Sequence, residues 1–261
     1  MIFIMRKFAI LLLGMPLILI LVAFVMSESS AGMTGNGIAD SSAVTVDSAA
    51  MKSRFEYLTE EDYKEVADSL GLEVPVIKAV VLIEAGPGLK GFWKPGMPLI
   101  NFDVTMFRKS AMKRKINLTP YRTSHSVVFT APKIRKYGSL QAAQYVRLDS
   151  AMTIDSVAAL EGTFWGMFQI GGFNWFNCQC SSIDEFVDKM KRSERDQLDL
   201  FAAFITQLGL VKYLKSHKWA AFALRYNGPS YKRRGYDTKL ANAYKRFSQE
   251  MSENNPSKTN E

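Results

Sequence analysis

The sequence predicts a mainly α (α+β) domain with one small β-hairpin, carried behind an apolar N-terminal segment. Three observations predict it. Apolar side chains recur at helical spacing along much of the stretch from 54 to 249, as Leu198, Phe201, Ile205 and Leu208 do. Residues that start and stop helices bracket several of these stretches. Between them, the region from Gly91 to Phe102 carries the glycine, proline and aromatic pattern of two short strands and a turn.

At the N-terminus, residues 1–26 hold Arg6 and Lys7 followed by an uncharged run from Phe8 to Met26. A short basic region ahead of a long apolar one is the pattern of a secretory signal, and this run is also long enough to remain as a membrane anchor. With the positive charge in front, the bulk of the chain is expected outside the cytoplasm, in the periplasm or cell envelope. It is either released there or held to the inner membrane by residues 8–26. Residues 27–53 are rich in Ser, Ala, Gly and Thr and read as a flexible linker. Residues 250–261 read as a polar, disordered tail, which leaves 54–249 as the folded domain.

Within that domain Thr59-Glu60-Glu61-Asp62 has the form of a capping box, opening a helix that Gly71 stops. Pro75 sits near the first turn of a second helix, which ends at Gly86-Pro87-Gly88. Gly91-Phe92-Trp93 and the stretch from Pro98 to Phe102 flank Lys94-Pro95-Gly96-Met97 and form the expected hairpin. Further helices are expected over 139–159, 183–191, 194–216, 219–225 and 236–251.

Composition narrows the function. The chain is 48% hydrophobic and carries a net charge of +8, of which Arg6 and Lys7 contribute two. A basic surface suits a polyanion: nucleic acid, anionic lipid or an acidic cell wall. Export removes nucleic acid from that set. Cys178 and Cys180 are too few for a zinc site and too close for an easy disulfide, so they read as free thiols. His125 and His217 have no metal-ligand partner at helical spacing, and neither a Gly-x-Ser-x-Gly elbow nor a phosphate-binding glycine loop is present. No cofactor is expected.

Glu84 is the leading candidate for chemistry. Ile77, Val80 and Val81 precede it by seven, four and three positions and share its helix face. A carboxyl at the end of an apolar stripe is desolvated, which favours the protonated form that a proton donor needs. Two later stretches add polar groups among glycines and aromatics. One runs from Phe164 to Trp175 and includes Trp165, Gly166 and Gln169; the other is Tyr226-Asn227-Gly228-Pro229. Glycines admit close approach, an amide can bridge sugar hydroxyls, and aromatic faces can stack on pyranose rings.

A glutamate ending a helix, then Gly-x-x-Gln, then Tyr-Asn-Gly resembles the motif order of lysozyme-superfamily wall hydrolases. Goose-type lysozymes and soluble lytic transglycosylases share that order. The sequence is most similar to the N-acetylmuramidase family of phage endolysins and exported bacterial proteins, over about Thr59 to Tyr244. Val81-Leu82-Ile83-Glu84-Ala85-Gly86, Trp165 to Asn174, and Tyr226 to Pro229 carry the likeness. One block departs: Asp103 stands where the family usually has Glu, and Val104-Thr105 where it usually has Arg-His.

The resemblance implies a lysozyme-like helical domain with its hairpin near the cleft. It also implies hydrolysis of the β-1,4 bond between N-acetylmuramic acid and N-acetylglucosamine in peptidoglycan glycan strands by a monomer. Glu84 would be the general acid, Asp103 the second carboxylate with Glu161 as runner-up, and Gln169, Tyr226, Asn227 and Trp165 the substrate-binding residues. Two alternatives stay open: a lytic transglycosylase acting on the same glycan, and a membrane-tethered protein that binds peptidoglycan without cutting it.

Overall fold

The computed structural model describes residues 57–254 apart from 87, 89 and 131–139. The expected export segment and linker lie outside the described residues, as does the tail from 255 onward. Among the described residues no helix is long and apolar enough to cross a membrane.

Helix α1 (Glu60–Leu70) starts at the expected capping box, with Thr59 and Asp62 exchanging hydrogen bonds, and Gly71 ends it in the left-handed region. Helix α2 (Val74–Ala85) takes Pro75 into its first turn. Its stripe of Ile77, Val80 and Val81 is fully buried. The C-terminal helix α13 (Tyr236–Glu253) packs along α2 and continues into the stretch expected to be a frayed tail.

Strands β1 (Phe92–Lys94) and β2 (Met97–Pro98) form the expected hairpin around Pro95-Gly96. β3 (Ile100–Phe102) does not extend it. β3 pairs antiparallel with β4 (Thr163–Trp165), which turns through residues 166–169 into β5 (Ile170–Gly171). The single expected β element is therefore corrected to two small sheets. Strands of two or three residues are too short to show a period, so only their long-range partners reveal them.

The open edge of β3 is closed by side chains. Gln141, Gln144 and Arg147 lie on one face of helix α6 (Gln141–Met152) and are buried. Gln141 accepts from the Ile100 N–H and donates to the Ile100 carbonyl at 2.9 and 3.0 Å. Gln144 accepts from the Phe102 N–H, and Arg147 donates to the Phe102 carbonyl. Backbone groups that another strand would satisfy thus end on a helix, as buried polar groups require.

The remaining helices follow from their caps. Helix α3 (Val104–Lys113) was not anticipated by the sequence reading. Two short helices, α4 (Tyr121–Ser124) and α5 (Ser126–Phe129), follow it. The expected helix over 139–159 is two, because Asp155 caps a new start at α7 (Ser156–Glu161). After a 3₁₀ turn (Gly172–Cys178) come α8 (Ile183–Arg192) and α9 (Glu194–Gln207). The pattern over 194–216 breaks at Leu208-Gly209, where Gly209 adopts φ 64°, and resumes as α10 (Val211–Lys215). Helices α11 (Trp219–Asn227) and α12 (Tyr231–Arg234) complete the set. The core runs between α9, α11 and the β4–β5 turn, where the Phe168 and Phe201 rings stack at 4.3 Å and the Tyr226 ring lies edge-on to Phe201 at 5.5 Å. Cys178 and Cys180 are buried free thiols at the edge of this core.

Candidate active site

Glu84 lies in the last turn of α2, is 9% exposed, and accepts a hydrogen bond from Asn227 Nδ2 at 3.0 Å. Asn227 is the last residue of α11 and is itself buried. The two helix ends that meet here stop in the same way. Gly86, two residues past Glu84, adopts φ 78°, ψ −178°, and Gly228, directly after Asn227, adopts φ 80°, ψ −177°. That region is open essentially to glycine alone. Both chains therefore leave their helices abruptly, and the polar side chains of the two final turns face one another.

Tyr226 and Gln169 build the wall beside this pair. The Tyr226 ring is 2% exposed, and its hydroxyl donates to the Phe168 carbonyl at 3.1 Å. That contact ties α11 to the turn over 166–169. Gln169 has φ 48°, is buried, and its Nε2 donates to the Gly166 carbonyl at 2.9 Å and to the Leu99 carbonyl at 3.4 Å. In this conformation Gln169 braces its own turn against the segment between β2 and β3. The structure therefore links Glu84, Asn227, Tyr226 and Gln169 in one connected wall.

The other candidates are held by partners of their own. Asp103 caps α3: its Oδ1 accepts from the N–H groups of Thr105 and Met106 at 2.7 and 3.1 Å. Its charge also acts on buried Arg147, whose pKa is lowered by burial and partly restored by Asp103. Glu161, at the end of α7, accepts from the Ser110 hydroxyl and from Trp175 Nε1. Trp165 is 1% exposed with its Nε1 donating to the Leu160 carbonyl at 3.1 Å, so the ring expected to meet a sugar is a core residue.

Two further residues support the site. Glu194 and Gln197 project from the start of α9 and reach the segment after Glu84 and the turn before Gln169. Their signal in the sequence is faint: polar residues three apart beside the buried stripe of Leu198, Phe201 and Ile205. Among the described residues no group of three or more His, Cys, Asp or Glu is placed to hold a metal ion.

Comparison with known proteins points one way. The N-acetylmuramidase family matches residues 73–248, which span both helix ends and both sheets. The chain is similar to the crystal structure of Burkholderia AP3 phage endolysin, with 33% identity and a TM-score of 0.65. That match covers 74% of this chain and 73% of the endolysin. No functionally curated protein matches.

Proposed function

Because the chain belongs to the N-acetylmuramidase family, we propose that it is a peptidoglycan hydrolase in which Glu84 is the general acid and the scissile bond is the β-1,4 linkage from N-acetylmuramic acid to N-acetylglucosamine. The observation that carries this reading is the buried contact between Asn227 Nδ2 and Glu84 Oε1. The Asn227 amide fixes the Glu84 carboxyl at the end of α2, from which its proton would pass to the glycosidic oxygen. The bond to the leaving sugar breaks as that proton moves, and positive charge develops on the remaining ring through an oxocarbenium-like transition state. Once the proton has gone, the Asn227 amide stabilises the carboxylate left behind. Tyr226 holds α11, and so Asn227, in register with the turn that carries Gln169.

The second reading, a lytic transglycosylase, has its own observation. Asp103 caps α3 and Glu161 is held by Ser110 and Trp175, which favours a reading with Glu84 as the single acid. A single acid suffices when the muramic 6-hydroxyl replaces water as the attacking group. Digestion of purified peptidoglycan by the full-length chain, with product ends identified by mass spectrometry, separates the two. Reducing N-acetylmuramic ends support the hydrolase and 1,6-anhydro ends the transglycosylase. Retention on the wall without new ends would replace both readings with a glycan-binding protein. Export and anchoring by residues 8–26 belong to the same proposal, tested by fractionating cells that express the chain with and without those residues.

A further inference from the structure

Glu194 and Gln197 stand three residues apart on the first turns of α9 and are 1% and 0% exposed. Glu194 Oε1 accepts the Gly91 N–H at 2.7 Å. Gln197 Nε2 donates to the Gly91 carbonyl at 3.3 Å and to the Met190 carbonyl at 2.9 Å, while its Oε1 accepts the Met167 N–H at 2.8 Å. The Gly91 N–H therefore ends on this helix face, and the Gly91 carbonyl is shared between Gln197 and the Leu99 N–H at 2.8 Å. Gly91 lies seven residues beyond Glu84, and Met167 precedes the Phe168 carbonyl that receives the Tyr226 hydroxyl. One buried amide thus spans the chain leaving the acid and the turn that braces Asn227. Glycine on both sides leaves room for it: a Cβ on Gly166 would lie 2.6 Å from Gln197 Oε1, and one on Gly91 would strike the same oxygen, so either would displace the amide.

Glu194 Oε2 is buried without a hydrogen-bond partner. An ionised carboxylate in that position would keep one donor in an apolar enclosure, an expensive arrangement. Burial pushes its pKa up to about 8, against the opposing pull of the Gly91 N–H and Lys90. The other titratable group facing it is Tyr63 of α1, whose phenol is pushed up to about 12 by burial and then by Glu194. Arg195 turns away to Asp62, Glu65 and Asp199, and α8 offers the Met190 carbonyl to Gln197.

We infer that Glu194 and Gln197 are positioning residues for the reaction, a buried clamp that holds the Gly91 segment against the Gly166–Gln169 turn and so keeps Glu84 and Asn227 together. The inference rests on the hydrolase reading above. Ionisation of Glu194 hydrates the buried carboxyl and loosens the clamp, so the site relaxes in mildly alkaline solution through a group that never touches substrate.

The test compares the full-length chain with E194Q and Q197A on purified peptidoglycan from pH 5 to pH 10, following the Gly91 amide by NMR over the same range. In the unaltered chain the Gly91 signal should titrate near pH 8 and kcat should fall over that span. E194Q keeps an acceptor for the Gly91 N–H but has no proton to lose. It should abolish the Gly91 titration and lose at least about threefold less of its rate between pH 7 and pH 9 than the parent does. Q197A should lower kcat about tenfold or more with KM changed less than about threefold; where it does not fold, the isosteric E194Q carries the test. A Gly91 amide that does not titrate, an E194Q profile that falls like the parent, or a folded Q197A with unchanged kcat overturns the clamp. Failure of the hydrolase reading looks different, with no glycan cleavage at any pH, and the Gly91 titration then decides the clamp alone.

Discussion

Glu84 and Glu194 are both buried carboxyls at helix ends, and the ends are opposite. Glu84 closes α2, at the negative pole of a helix, and accepts a hydrogen bond from the amide of Asn227. Glu194 opens α9, at the positive pole, and takes a backbone N–H from Gly91. The positive pole and that donor should favour ionisation of Glu194, yet burial outweighs them and lifts its pKa to about 8. Desolvation therefore dominates the local dipole here. The difference between the two carboxyls lies in what surrounds them. Glu84 sits where two chains leave their helices at glycines, beside the wall formed by Asn227 and Tyr226, whereas Glu194 is enclosed by the segment and helices it holds.

The contrast breaks first at Glu84. E84Q should lower peptidoglycan cleavage by roughly a thousandfold or more, the scale of a lost general acid, with an unchanged far-UV circular dichroism spectrum. A folded E84Q that still releases glycan fragments removes Glu84 from the chemistry. Next is Asn227: N227A should reduce kcat by about ten- to a hundredfold, because the carboxyl loses the amide that would stabilise it once its proton has been given up. An N227A rate within twofold of the parent would leave Asn227 with packing alone.

Glu194 sharpens the same contrast through stability. Its folded pKa of about 8 lies above the ordinary 4.5 expected for the unfolded chain. The stability it contributes is thus fully present below about pH 4.5 and is lost as the pH rises through 8. Unfolding free energies from urea titrations between pH 5 and pH 9 should fall by on the order of 2–4 kcal/mol for the parent chain, and E194Q should flatten that slope. The smallest effect is at Asp103. D103A should cost about 1 kcal/mol as a lost helix cap, while D103N, which can still cap, should keep activity within about threefold. A hundredfold loss in D103N would restore Asp103 to the reaction.

How far the site was legible follows from residue spacing. Thr59, Pro75 and Gly71 announce helix ends because capping is local chemistry, and α1 and α2 begin and end as read. Glu84, Gln169, Tyr226 and Asn227 stand out because helix-ending glycines and polar residues adjoin apolar stripes. Asp103 can be read two ways: an acidic residue after a short apolar run suits a helix cap as well as a catalytic role, and in the structure it caps α3. Trp165 looked like a sugar platform, but its strand faces the core. The division of 139–159 and 194–216 into two helices each was readable in principle at Asp155 and Gly209.

Local sequence thus determined the helix starts and stops, the buried stripe beneath Glu84, and the identity of the residues nearest it, because caps and periodicity act within a few positions of the chain. Tertiary structure alone decided that β3 finds β4 sixty residues away, that Gln141, Gln144 and Arg147 close its edge, and that Gln197 sits between Gly91 and Gly166. Those pairings join backbone groups remote in the chain and leave no periodic trace; they exist because a buried N–H or carbonyl must find a partner wherever the packed chain offers one.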